Sequence, residues 1–243
     1  AKTADLLRPG HADYTAYAKY HGYQDARGGG HFSGRVTAAL VAGGALVLGA
    51  LNRAGIEIVT HIVRCAGISD IPFALDDPAA LAAQAEALLN KSEGFALLDG
   101  SVEEPMKAAI RAAGAEGDSV GGVLETAILG LPAGVGEPYF DSVESKLAPL
   151  AFSLPAVKGI EFGSGFGFAV QKGSEANDAF RMQGERIVTA TNHNAGLNGG
   201  ISNGMPVVFR TVVKPTPGIY NPQDTVEYIA KQHAELSIQG RHE

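Results

Sequence analysis

The chain has 243 residues, 45% of them hydrophobic and 19% charged, with a formal net charge of −7. That length and composition fit a globular protein with enough apolar residues for a sizeable core, and exclude a disordered or fibrous chain. No basic surplus exists to displace counterions, so nonspecific nucleic-acid binding is excluded, and any phosphate site must gather Arg and Lys locally against the global sign.

Residues 1–33 scatter Gly, His and Tyr without a period and are expected to be loop-rich. Within and just beyond them, Arg8-Pro9-Gly10-His11-Ala12-Asp13-Tyr14-Thr15 and the segment from Asp25 to Arg35 place Arg, His and Gly close together. Residues 36–52 carry no charge, and residues 34–53 are expected to form a helix buried in the core rather than a membrane span, stopped by Ala54-Gly55. Residues 56–63 alternate and are β-branched, which predicts a strand. Cys65, the one cysteine, follows in an apolar run and is expected to be a small buried hydrophobe. Its solitude excludes an internal disulfide and a multi-Cys zinc site, and fits a reducing cytoplasm.

Helices are expected over 78–90, where Pro78 suits the first turn, and over 103–115. A strand over 119–131 leads into a Gly/Pro loop at 132–138, and Asp141-Ser142 caps a helix over 142–153. Strands are expected at 157–163, 166–171, 205–213 and 225–229. Ala54-Gly55-Ile56-Glu57-Ile58 and Lys158-Gly159-Ile160-Glu161-Phe162 read alike, but five residues do not separate duplication from coincidence. The mixture of helices and strands without strict alternation points to an α+β fold in one domain, 1–243. The chain opens on Ala1 and ends on a polar cluster, so both ends look cut.

Three regions can carry chemistry. Arg holds phosphate or carboxylate in a two-toothed grip, His moves protons near neutral pH, and Gly admits a ligand to the backbone. His11 and His31, each beside Arg and Gly, are therefore equally readable as structural or catalytic. The Asn/Gly loop at 191–204, with four Asn and four Gly, is either an exposed-amide ligand loop or a plain turn-rich connection. Lys214, at the end of an apolar strand and followed by Pro215 and Pro217, is either a rigidly presented cation or an ordinary surface Lys. No metal site is expected, since no HExxH or helical His pair occurs among the seven His. Gly163-Ser164-Gly165-Phe166-Gly167 is expected to be a turn, not a nucleotide motif.

Together, RPGHADYT at 8–15, Lys19-Tyr20, the Asp25–Arg35 segment, Gly134-Val135-Gly136-Glu137-Pro138, 155–161, Gly173-Ser174, Asn177-Asp178, the loop at 192–204, Lys214-Pro215-Thr216 and Gly240-Arg241-His242 resemble the chorismate synthase family over nearly the whole chain. The resemblance implies a helical layer sandwiched between antiparallel β-sheets, in a cytoplasmic homotetramer with no nucleic-acid or membrane partner. It implies a lyase of the shikimate pathway, which feeds aromatic amino acid biosynthesis. The reaction is the anti 1,4-elimination of phosphate from 5-enolpyruvylshikimate 3-phosphate, giving chorismate and requiring reduced FMN. By resemblance, His11 and Glu243 are catalytic, and Arg8 and Arg35 grip the substrate. The flavoprotein's FMN contacts would be His11, His31, Phe32, Ser33, Pro155, Ala156, Asn192, Gly199, Lys214, Pro215, Thr216, Pro217, Gly218 and Arg241. Whether NADP reduces the flavin here is open.

Departures from the family pattern are His31 where many relatives carry Arg, Ala195 for the first Gly of a pair, and Glu243 for an Asp. A family segment with a second catalytic His and further Arg residues is not found in residues 1–243, so the chain as written would lack the acid for the departing phosphate. The alternatives are a catalytically inactive fragment that binds flavin or phospho-ligands, and a flavin oxidoreductase.

Overall fold

The computed structural model describes residues 5–25 and 28–238. Its main element is an antiparallel five-stranded sheet in the order β2-β1-β3-β9-β4, formed by β1 (Glu57–Cys65), β2 (Ile68–Ser69), β3 (Gly122–Leu129), β4 (Val157–Phe162) and β9 (Val207–Val213). Around it lie α1 (Asp13–Tyr20), α2 (Ala38–Arg53), α3 (Pro78–Leu89), α4 (Glu103–Ala115), α5 (Val143–Ser153) and the short α6 (Gly173–Ala176). The described residues also form three two-stranded hairpins: β5 (Phe180–Gln183) with β6 (Arg186–Thr189), β7 (Leu197–Asn198) with β8 (Ile201–Ser202), and β10 (Gln223–Glu227) with β11 (Gln232–Leu236). The α+β expectation is met.

The core lies between α3 and one face of the sheet. Pro78 opens α3, and the Asp77 carboxylate caps it by accepting from the Ala79 and Ala80 amides. Leu81, Ala85 and Leu88 recur at helical spacing and pack with Val59, Ala127 and Val208, one from each of the three central strands. On the same sheet face, His61, Glu125, Arg210 and Glu161 are register neighbours across β1, β3, β9 and β4.

Several expectations need correction. α2 forms, because its Ala- and Leu-rich sequence favours helix, but none of its residues is buried, and Leu46 is 80% exposed. Its apolar residues fall on all sides, so no single neighbour within the chain can cover it. The stretch Gly34–Arg53, with mean hydropathy 1.7, is long and apolar enough to cross a membrane by length and composition alone. Residues 1–33 are less loop-rich than expected, since α1 and a 3-10 turn at Gly30–Phe32 lie there. Residues 166–171 are not a strand: Gly165–Val170 is a 3-10 helix, started where Gly163 and Gly165 take positive φ and Glu161 accepts the Phe166 amide at 3.0 Å. The β5–β6 hairpin is not visible in the sequence pattern and β10–β11 only partly, because β5–β6 is largely exposed and neither has an apolar alternation.

Candidate functional site

Four separated segments meet at one end of the sheet. In the antiparallel pair β4–β9, Val157 faces Val213, so Pro155-Ala156 entering β4 lie beside Lys214 leaving β9. The Lys214 amide donates to the Ala156 carbonyl at 3.0 Å. Lys214 then extends Nζ to the Gly10 carbonyl at 2.7 Å, which ties this strap to the loop before α1. A Cβ at Gly10 would stand 2.7 Å from Pro217 Cβ, and Gly10 has φ +71°, so the close approach requires glycine. The loop's start is pinned on β10: the Leu7 amide donates to Val226 O at 3.2 Å, and Thr225 Oγ1 donates to Leu7 O.

The resulting cavity has a volume of about 740 Å³, within the usual range for a small-molecule site. It is lined by Arg8, His11, Asp13, residues 28–34, residues 152–158, Lys214, Thr216, Pro217 and Tyr228. Its apolar lining comes from Phe32, Phe152, Leu154, Pro155 and Ala156 among others. Its cationic lining comes from Arg8, Lys158 and Lys214. His31 stacks near Phe32, ring centroids 4.2 Å apart, and its Nε2 lies 3.5 Å from Tyr20 Oη.

His11 sits between these groups. Its Nδ1 lies 3.0 Å from the Pro9 carbonyl. A carbonyl only accepts, so Nδ1 carries the hydrogen and Nε2 is left to meet a ligand. Burial lowers the imidazole below its ordinary value; the Pro9 bond opposes this, Arg8 and Lys214 add to it, and Asp13 opposes it. Arg8 is not a free cation: Nε donates to Asp13 Oδ2 at 2.9 Å and Nη2 to Oδ1 at 2.7 Å. That pairing raises the Arg8 guanidinium above its ordinary value.

The expected residues divide accordingly. Arg8, His11, His31, Phe32, Ser33, Pro155, Ala156, Lys214, Thr216 and Pro217 share the cavity. Arg35, Asn192, Gly199, Pro215 and Gly218 are not in its lining. Arg35 is exposed beyond Ser33, whose Oγ accepts its amide at 3.4 Å. Gly218 lines a second cavity of about 780 Å³, which shares Thr216 with the first. Asn192 is fully buried, donating from its amide to Leu75 O at 2.6 Å and from Nδ2 to Pro206 O at 2.8 Å. Arg241 and Glu243 lie outside the described residues.

The Asn/Gly loop is thus packed inward, not open. Asp178 organises it, accepting from Thr191 Oγ1, from the His193 and Asn194 amides, and from Asn194 Nδ2 at 2.7–3.0 Å. Burial works against the Asp178 carboxylate, yet these donors hold it below the usual carboxylate range. Asp13, Lys158 and Tyr228 are cavity groups absent from the sequence expectation. For Asp13 the only signal is an acid close behind an Arg; Lys158 and Tyr228 arrive through strand pairing and carry no local signal.

Comparison with known proteins gives a consistent set of matches. The family model described as chorismate synthase matches residues 1–243. A chorismate synthase of Dehalococcoides mccartyi is 42% identical over 243 residues, all of this chain and 64% of that protein. One of Korarchaeum cryptofilum is 42% identical over 97% of this chain and 63% of its own length, and one of Pyrococcus abyssi 41% identical over 98% and 64%. A crystal structure of chorismate synthase superposes with a TM-score of 0.74 at 29% identity, over 84% of this chain and 63% of that one. The chain therefore spans a little under two thirds of the length of these relatives.

Proposed function

This chain belongs to the chorismate synthase family, and we propose that its protein converts 5-enolpyruvylshikimate 3-phosphate to chorismate and phosphate with reduced FMN. The observation that carries the reading is the convergence of Arg8, His11, residues 31–33, Pro155-Ala156 and Lys214 on one cavity of about 740 Å³. The donor set fits a flavin: apolar and aromatic lining from Phe32, Phe152 and Leu154 suits the ring system, and Lys214 with the nearby glycines suits a phosphate or an anionic ring. Reduced FMN, when bound, would supply electron density as phosphate departs and take up the ring proton.

The protein's own contribution is positioning and charge. The substrate carries one phosphate and two carboxylates, which Arg8 and Lys158 would hold against the acidic balance of the chain, while Lys214 would supply positive charge to the flavin. His11, fixed through Nδ1–H to Pro9, would exchange a proton with the flavin through Nε2, its basicity lowered by burial. His31, Phe32, Ser33, Pro155, Ala156, Thr216 and Pro217 would shape the flavin side. Arg35, Asn192, Gly199, Pro215, Gly218, Arg241 and Glu243 remain assigned by family likeness, as does the homotetramer.

The test is anaerobic chorismate formation by the full-length protein with reduced FMN and substrate, followed by ultraviolet absorbance. Product supports the reading. FMN binding without product leaves a flavin-binding protein, and steady NADH consumption without chorismate indicates an oxidoreductase.

A further inference from the structure

Residues 8–13 tie together three polar side chains of the cavity wall, Arg8, His11 and Lys214. The Arg8 carbonyl accepts the His11 amide at 3.2 Å, the Pro9 carbonyl orients the His11 ring, and the Gly10 carbonyl holds Lys214 Nζ. One carboxylate closes this turn. Asp13 accepts the Arg8 backbone amide at 2.8 Å, Arg8 Nε at 2.9 Å and Arg8 Nη2 at 2.7 Å. Nη2 also reaches the Gly28 carbonyl at 3.2 Å, which links the turn to the glycine wall. Nη1 is then the guanidinium nitrogen with no hydrogen bond among the described residues. Both partners are three-quarters covered, with side-chain exposures of 28% and 23%, so this is not a solvated surface pair.

We propose, resting on the elimination reading above, that Asp13 is a positioning residue: it clamps Arg8 so that Nη1 is presented to the substrate anion, and it fixes the turn that aims His11 and Lys214. The fork-to-fork geometry restricts the guanidinium to one plane, which a single-point contact would not do. The negative charge also balances the site. Burial lowers the His11 imidazole, Arg8 and Lys214 push the same way, and Asp13 counters them. The other titratable groups lining the cavity are Asp25, His31, Lys158 and Tyr228, and Asp13 is bonded to none of these.

The experiment compares the full-length protein with Asp13→Asn and Asp13→Glu. The imidazole titration of His11 is followed by NMR, assigned with His11→Gln. Substrate affinity is measured by calorimetry with oxidised FMN, which does not support the elimination. Asp13→Asn is expected to lower the His11 midpoint and to weaken substrate binding about tenfold, the loss of a charge-assisted fork. Asp13→Glu is expected to restore the midpoint, because charge is kept, while a longer side chain leaves substrate binding weakened. An unmoved midpoint in Asp13→Asn, or tighter substrate binding, overturns the proposal; tighter binding would mean that Asp13 only competes with the ligand for Arg8. A midpoint that Asp13→Glu fails to restore also overturns it. The outcomes separate from the function itself: an unmutated protein that makes no chorismate removes the elimination reading while the His11 midpoints still decide the role of Asp13.

Discussion

At the residue scale, His11 has an environment suited to a proton-transfer group. It is half-buried, fixed by one carbonyl, and flanked by two cations and one anion. Replacing it with Ala is expected to cut turnover by about 10²–10⁴-fold while FMN affinity stays nearly unchanged; single-turnover kinetics and a fluorescence titration measure the two separately. Its lowered basicity also has a consequence for folding. Between the lowered value and the ordinary 6.5 the unfolded chain binds more protons than the folded one. Stability is therefore full above that window and is lost as pH falls through it, and His11→Gln should flatten this part of a urea-unfolding pH profile. Gly10 is constrained in another way. Gly10→Ala drives a Cβ against Pro217 at a positive φ, and is expected to cost about 1–3 kcal/mol in thermal unfolding, with weaker FMN binding as the Lys214 contact loosens.

At the element scale, the sheet is held by a buried polar cluster as well as by its ladder. The His61 ring lies fully buried between two carboxylates, Nδ1 at 3.1 Å from Asp70 and Nε2 at 3.0 Å from Glu125. Those carboxylates also accept the amides of Leu98, Asp99 and Phe73, so the cluster staples two loops over the sheet. His61→Leu leaves two buried carboxyl groups without their shared hydrogen-bond partner and is expected to cost about 1–3 kcal/mol in urea unfolding; no loss would mean that the backbone amides alone satisfy them. The cost falls on folding, since His61 is not in the cavity lining.

At the scale of the whole molecule, the cavity exists only because strand pairing joins distant segments: Gly10 and Lys214 are 204 positions apart in the chain and touch. The exposed apolar surface of α2 also belongs to this scale. A homotetramer, expected from the family, needs apolar surface of this kind. Leu46→Lys is expected to lower the assembled fraction in sedimentation velocity without changing the fold, because Leu46 is 80% exposed within the chain. A tetramer indifferent to that change places its interface elsewhere.

The sequence by itself determined the α+β class, the helices near 78–90, 103–115 and 142–153, the central strands, and the motif residues that form part of the cavity wall. Those features rest on local chemistry: the Asp77-Pro78 cap, the spacing of Leu81, Ala85 and Leu88, the β-branched run of β1, and the motif residues around His11, His31 and Lys214. Tertiary structure alone decided the rest. It turned the Asn/Gly loop inward, because Asp178 and Leu75 satisfy the amides that local composition leaves free. It left α2 uncovered, because periodicity reports which residues are apolar and not what meets them. It converted Arg8 from an apparently free cation into half of a clamped pair, because hydrogen-bond geometry depends on where a carboxylate comes to rest after the chain has folded.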